Sequence, residues 1–589
     1  MAIESFPESL LPDPATAPRP TSRLVARPVE GAAFGSDWWQ RGVVYQVYPR
    51  SFADSTGDGV GDLRGVIDRL DHLNDGTDRS LGVDAIWLSP IYPSPGLDVG
   101  YDVSDHAAID PLFGTLDDFD RLIDEAHRRG IRVVLDLVMN HTSSAHPWFL
   151  ESRAARSGPK ADWYIWRDPP RSWSRARGRR RPNNWVSYFG GPAWTWDDAR
   201  GQFYLHTFLP EQPDLNWRNP DVRAAMLTMV RGWLDRGVDG FRLDVFNAFF
   251  KHPELLSNPR RVIGGRRAYD RQRHNYDKDQ PELHGFLAEF RALVDEREGR
   301  MTVGELFATE AHRAGQYAAP RHLVFDFHLM TQPWRAEAFA RATAEREAIF
   351  GAAGWPTVVL SNHDQSRHAS RLSGGSRSHD DAVAKAAAVL LLTLRGTPFL
   401  YYGEEIGLRD VPIPRAEIVD PPARRGGPIA RRLSPWWNRD QARAPMPWTD
   451  APFGGFSAVR PWLRMAPDAA TRNVARQAAD ARSVLAAYRR LIWLRRRHPA
   501  LQVGAWRRLN KASGDVLAYL RTTDDETVLV AVNFGRGPGW FRAEGHPASG
   551  GWEPLFGTHE PPAPVSEGAR VALRPLEAVV LAAGPSSRG

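Results

Sequence analysis

From residue 43 onward, short β-type runs alternate with helical segments, and acids stand where three of the runs end. Asp244 closes Gly-Phe-Arg-Leu-Asp (240–244), Glu305 follows Thr-Val-Gly (302–304), and Asp364 ends Val-Val-Leu-Ser-Asn-His-Asp (358–364). Alternating strands and helices argue for a parallel sheet with helices outside it. In a (β/α)8 barrel every strand's carboxyl end opens on one face, so acids at those ends gather around one site. The β-runs are 43–48, 83–88, 131–138, 238–243, 301–303, 323–325, 357–360 and 398–402, which makes eight. Helical patterns fall at 63–73, 117–129, 222–236 and 484–498.

The expected fold is therefore α/β: a (β/α)8 barrel with a subdomain inserted after strand 3 and a C-terminal antiparallel β-domain. Residues 1–36, rich in Pro, Ala and Ser, read as a disordered arm. The barrel begins over 37–140. Residues 141–211 cluster Trp, Pro, Gly and Arg, with one β-rich stretch at 202–209. A connection this long carries structure of its own. The barrel resumes over 212–500, with a second insertion near 403–481. Residues 501–589 carry short strands at 516–521, 527–533 and 570–582 between Gly/Pro turns.

Composition narrows the classes. The chain of 589 residues has no cysteine, which excludes disulfides, thiolate catalysis and Cys-ligated zinc. The net charge of +6 is small for this length, so no nucleic-acid partner is expected, and the dense basic run 171–181 reads as a solvated face. No apolar stretch suits a membrane span, and the first residues lack the pattern of a secretion signal. A cytoplasmic enzyme, monomeric or homodimeric, is the expectation. Most of the 22 tryptophans read as core, although flat aromatic faces also stack on sugar rings.

Five strings carry a resemblance: Asp136-Leu-Val-Met-Asn-His141, Gly240-Phe-Arg-Leu-Asp244, Gly304-Glu305, Ser361-Asn-His-Asp364 and Gln212-Pro-Asp-Leu-Asn216. Together, in their order along the chain, they resemble the α-amylase family of retaining glycoside hydrolases, and within it the α-glucosidase and oligo-1,6-glucosidase group, over residues 37–585. The resemblance implies an exo-acting α-glucosidase that releases glucose from short α-glucosides, with or without glucosyl transfer. A sucrose- or trehalose-converting isomerase or hydrolase of the same fold is the close rival; a non-catalytic barrel homologue is a remote one.

It further implies Asp244 as nucleophile, Glu305 as general acid and base, and Asp364 as a ligand of two sugar hydroxyls. Arg242, two residues before Asp244 on the same strand face, would hold that carboxylate. His141 and His363 resemble hydroxyl ligands. Tyr101 and Asp102 resemble the pair that stacks on and clamps the terminal glucose, and Arg443 the arginine that closes the pocket with Asp102. Phe189 and Phe208 resemble pocket aromatics. Val245, next to the nucleophile, resembles a residue that accompanies α-1,6 cleavage. The loop Asp54-Ser-Thr-Gly-Asp-Gly-Val-Gly-Asp62 has acids at alternate positions and resembles the site of one structural Ca2+ or Mg2+, with Asp54, Thr56, Asp58, the Val60 carbonyl and Asp62 as ligands. No organic cofactor is expected. The basic, Pro-rich stretch 421–435 looks longer than its usual counterpart.

Overall fold

Eight parallel strands form a barrel: β1 (Val44–Val47), β2 (Ala85–Leu88), β3 (Arg132–Leu137), β4 (Gly240–Leu243), β5 (Met301–Glu305), β6 (Leu323–Phe325), β7 (Thr357–Val359) and β8 (Thr397–Tyr401). Their order around the sheet is β7-β8-β1-β2-β3-β4-β5-β6. A parallel bridge between Val324 and Pro356 joins the two ends. The computed structural model describes residues 35–170, 180–261, 265, 267–307, 313–318, 322–351, 354–374, 380–425, 438–546, 550–560 and 563–584. The expected arm (all but its last two residues) and most of the basic run 171–181 lie outside the described residues, as do 426–437, which take in the rest of the Pro-rich stretch.

The strands are nearly continuous apolar runs because both faces are covered. Outward residues such as Tyr45, Val133, Leu135, Phe241 and Leu243 pack in the main core beneath the helices. Inward residues Val44, Ala85, Val134, Met301, Val303, Leu323, Val359 and Phe399 fill the barrel floor. The two-residue period then lifts the next inward position by one step: Gln46 above Val44, Trp87 above Ala85, Asp136 above Val134, Glu305 above Val303. The barrel interior thus grades from apolar at the base to polar at the carboxyl end.

Between β3 and the helix Pro220–Asp235 lies a three-stranded antiparallel sheet of Trp166–Arg167, Trp194–Asp197 and Gln202–Leu205. The stretch expected to be extended to residue 209 leaves the sheet at Leu205. The helix expected over 63–73 is two, Leu63–Ile67 and Leu70–Leu73. Arg69 leaves helical geometry at φ −112°, ψ 4°, and its guanidinium lies 4.7 Å over the Trp448 ring. A contact distant in sequence overrides the local pattern here.

The C-terminal region holds a six-stranded antiparallel sheet and a two-stranded one. The single strand expected at 570–582 is split between them. Arg570–Leu573 pairs with Gly539–Arg542, and Ala578–Ala583 with Thr527–Asn533. Pro575 offers no N–H at the break, and Leu576 is left-handed at φ 57°. Among the described residues no helix is long and apolar enough to cross a membrane.

Candidate active site

The barrel's carboxyl end is organised around one cation. Arg242 is 1% exposed, and its Nη1 donates to Asp136 Oδ1 and to Asp244 Oδ1, both at 2.6 Å. Its Nη2 donates to Glu305 Oε2. Strand register explains the meeting: Asp136 is the lateral neighbour of Arg242, and Leu243 of Gly304, so Asp244 and Glu305 leave adjacent strands side by side. Burial works against the Arg242 cation, but Asp136, Glu305 and Asp244 outweigh it and hold its pKa well above the ordinary value.

The surrounding acids separate. Burial pushes Glu305 up to about 8 against the pull of Arg242, and repulsion from Asp244, Asp364 and Asp136 adds to the rise. Asp136 is likewise pushed up, by burial, to about 7. Burial also works to raise Asp364, but His363, Arg439, Arg443 and Arg242 win and hold it well below the usual carboxylate range. One acid that keeps its proton near neutrality beside another acid on an adjacent strand is the division of labour of acid–base plus nucleophilic chemistry.

A chain of hydrogen bonds runs behind this group. Gln46 Nε2 donates to His363 Nδ1 at 2.8 Å, which leaves His363 Nε2–H to donate to Tyr101 Oη at 2.7 Å. The Tyr101 hydroxyl in turn donates to Asp136 Oδ2 at 3.0 Å. Burial lowers His363 to about 3, in keeping with this neutral tautomer. Both ring nitrogens are spent, and His363 does not line the cavity described next. It orients Tyr101.

A cavity of about 260 Å3 opens above the acids. Asp244, Glu305, Asp364, Tyr101, His141, Phe189, Phe208 and Val245 all border it. Phe189, Phe208 and Val245 form one apolar cluster with Leu209, Tyr269 and Phe307. Tyr188 packs against this wall, its ring 4.6 Å from that of Phe307. Among the described residues the rings that line the cavity belong to Tyr, Phe and His, and none to Trp. Val245 has φ 37°, a left-handed conformation unusual for a β-branched residue and a form of strain common at functional sites.

Two expected pocket residues stand elsewhere. Asp102 is fully buried and spends its carboxylate on its own loop, accepting from Ser94 Oγ at 2.8 Å, Leu97 N at 2.9 Å and Asp98 N at 3.0 Å. Arg443 is also buried behind the wall, with Nε on the His363 carbonyl and Nη2 on Asp364 Oδ1, both at 2.9 Å. The acid and the arginine that border the cavity are Asp98 and Arg439, joined at 2.6 Å. Arg439 also reaches Asp364 at 3.2 Å and Asp420 at 2.8 Å. Asp98 is held in turn by Gln212 Nε2 at 3.1 Å, which gives the string 212–216 its use. Asp98 precedes Tyr101 by three residues and Arg439 opens the segment that contains Arg443, so both strings pointed to the right place and the wrong member.

The loop 54–62 folds on itself. Asp54 accepts from the N–H groups of Thr56, Gly57 and Gly59, and Thr56 Oγ1 also donates to it. Asp58 accepts from Val60 N, and Asp62 from Ser55 and from Gly65 N, where it caps a helix. Among the described residues no group of three or more His, Cys, Asp or Glu side chains converges as a metal site. The five expected ligands share a loop, but the Asp54, Asp58 and Asp62 carboxylates accept from nearby amides, so the structure adds no fit to the ion expected there.

The family profile described as the catalytic domain of alpha amylase matches residues 46–504. The chain belongs to the α-amylase family. It is 44% identical over 518 residues to a probable alpha-glucosidase of Rhizobium meliloti, covering 84% of this chain and 89% of that one. It is 37% identical over 541 residues to an oligo-1,6-glucosidase of Parageobacillus thermoglucosidasius, covering 86% and 92%. Among solved structures of the family, the alpha-glucosyl transfer enzyme XgtA superposes with a TM-score of 0.84 at 41% identity, covering 93% of this chain and 99% of that one. The trehalulose synthase MutB from Pseudomonas mesoacidophila also reaches 0.84, at 36% identity and 94% and 100% coverage.

Proposed function

We propose that this α-amylase family member is a retaining, exo-acting α-glucosidase for short α-glucosides. The carrying observation is that Asp244 and Glu305 share the guanidinium of Arg242. Acids one guanidinium apart suit the short separation of double displacement rather than the wider gap that holds a water for inversion. Asp244 attacks the anomeric carbon while Glu305 protonates the leaving oxygen. Glu305 then takes a proton from the incoming water or alcohol, whose oxygen displaces Asp244.

Asp98 and Arg439, bridged to Asp364, border the cavity and fill part of its rim with charge, which supports removal of a single terminal glucose. The wall beyond Val245 is apolar and aromatic, and it favours acceptors other than water, so glucosyl transfer belongs to the reading. Sucrose isomerisation is a second reading, favoured by the likeness to MutB. Maltose, isomaltose, sucrose, trehalose and an aryl α-glucoside, scored for free glucose and new glucosides, separate these outcomes. Proton NMR of the first-formed glucose tests retention: the α-anomer is expected, and an initial β-anomer overturns it.

A structural Ca2+ or Mg2+ on loop 54–62 stays part of the proposal on its sequence spacing alone. A cytoplasmic location and a monomeric or homodimeric state complete it, and cell fractionation and light scattering test them.

A further inference from the structure

The β-ladder between β4 and β5 stops just where the chemistry begins. Its last pair is Leu243 and Gly304; Asp244 and Glu305 come next. Val245 then turns left-handed and Phe246–Ala248 forms a short 3-10 helix, so the backbone of this loop leaves β5. One side chain reaches back. Asn247, fully buried, accepts from Phe307 N through Oδ1 at 2.8 Å and donates from Nδ2 to the Phe307 carbonyl at 3.2 Å. This two-point contact on one residue's backbone reproduces, with a side chain, the rung that the main chain no longer supplies.

The contact is braced from behind. Lys278 Nζ, also buried, donates to the same Phe307 carbonyl at 2.9 Å. Asp279 N donates to the Asn247 carbonyl at 2.7 Å. Asp279 Oδ1 accepts from Asn247 Nδ2 at 3.2 Å and from Tyr317 Oη at 2.9 Å. Asp279 itself is left-handed at φ 56°, strained backbone kept in place by these partners. Asn247, Lys278 and Asp279 are absent from the cavity lining, whereas Phe307 and Glu305 border it.

We infer that Asn247 is a positioning residue that sets the general acid against the nucleophile by latching the Phe307 backbone to the nucleophile loop, with Lys278 as its brace. The inference rests on Glu305 being the general acid. Arg242 anchors both acids, and Asn247 is the further tie that holds the 305–307 backbone past the last β4–β5 pair, so loss of the latch loosens that side of the site first. Proton delivery then suffers more than nucleophilic attack, and a small displacement of a catalytic group is enough to slow a reaction severely.

The test measures kcat/KM on maltose, whose leaving group needs a proton, and on a dinitrophenyl α-glucoside, whose leaving group does not. For Asn247→Ala the expected losses are ~10–100-fold on maltose and under ~3-fold on the aryl glucoside. Lys278→Met, which spares both Asn247 contacts, should show the same pattern with a smaller loss, and it decides the matter if Asn247→Ala does not fold. Equal losses on both substrates would show a merely structural role, and no loss on either would show that the latch carries nothing. Glu305→Gln on the same pair keeps the two claims apart. If it lacks the leaving-group difference, the acid assignment fails; if it has the difference and Asn247→Ala does not, only the latch fails.

Discussion

Two groups of acids lie on the same end of this molecule and behave in opposite ways. On loop 54–62, Asp54, Asp58 and Asp62 find most of their partners within seven residues, in the amides and hydroxyls of their own turn. At the barrel mouth, Asp136 and Glu305 meet Arg242 across 106 and 63 residues of chain. Burial works to raise both Asp54 and Glu305. In Asp54 the hydrogen bonds from Ser457, Gly59, Gly57 and Thr56 prevail, and its pKa is lowered. In Glu305 burial and three neighbouring carboxylates prevail, and it is raised to about 8. A turn can satisfy its own acids; the strand ends bring Asp136, Asp244 and Glu305 together around one shared cation, Arg242. The first arrangement stabilises a loop, and the second stores a proton where chemistry can use it.

The sharpest way to break this contrast is to remove a charge from the converging group. Asp244→Asn should lower kcat on maltose by at least ~10⁴-fold, since loss of a nucleophile removes the covalent route. Residual turnover within about tenfold of the wild type would dismiss the double-displacement reading. Glu305→Gln should cost ~10²–10⁴-fold on maltose and far less in the glycosylation step on a dinitrophenyl α-glucoside. Under the proposed acid role, the reactive form of Glu305 in the unsubstituted enzyme is the protonated one. Activity on maltose should therefore hold through neutral pH and fall as pH rises through about 8. An alkaline limb at the ordinary carboxylate pKa would show that the ring of acids does not repel as its geometry implies.

Smaller effects probe the edges of the two regions. Val245→Thr should move the ratio of kcat/KM toward maltose over isomaltose by ~10-fold, because a hydroxyl beside the scissile bond gives an α-1,4-linked sugar a partner. An unmoved ratio would locate linkage choice elsewhere, most directly in the stretch around 421–435. The smallest change belongs to the self-contained loop. Chelation, or Asp58→Ala, should lower Tm by ~2–4 °C and leave kcat as it was. No change in Tm, with no metal by elemental analysis, would leave this loop as a turn held by its own amides.

The barrel was legible because its signal is local. Each strand is a short apolar run, and β6 begins and ends where its sequence pattern does. Errors came where contacts distant in sequence intervened, as when Arg69 turned to Trp448 and broke a helix. The acids at the ends of β4, β5 and β7 were legible for the same reason, since a strand-end position follows from counting. The choice between Asp98 and Asp102, or between Arg439 and Arg443, was not. Each pair lies four residues apart, and both members are plausible by spacing.

By itself, then, the sequence determined the eight-strand alternation, the grading of the barrel interior from apolar to polar, and the identity of the acids that face its mouth. These depend on periodicity, which a chain carries in its order of residues. Only the tertiary structure decided which of two nearby acids meets the cavity, that His363 holds Tyr101 instead of facing it, and that Asn247 ties the nucleophile loop to Phe307. Those outcomes depend on which hydrogen-bond partner lies within about 3 Å after folding, and a buried polar group takes the partner that packing brings to it.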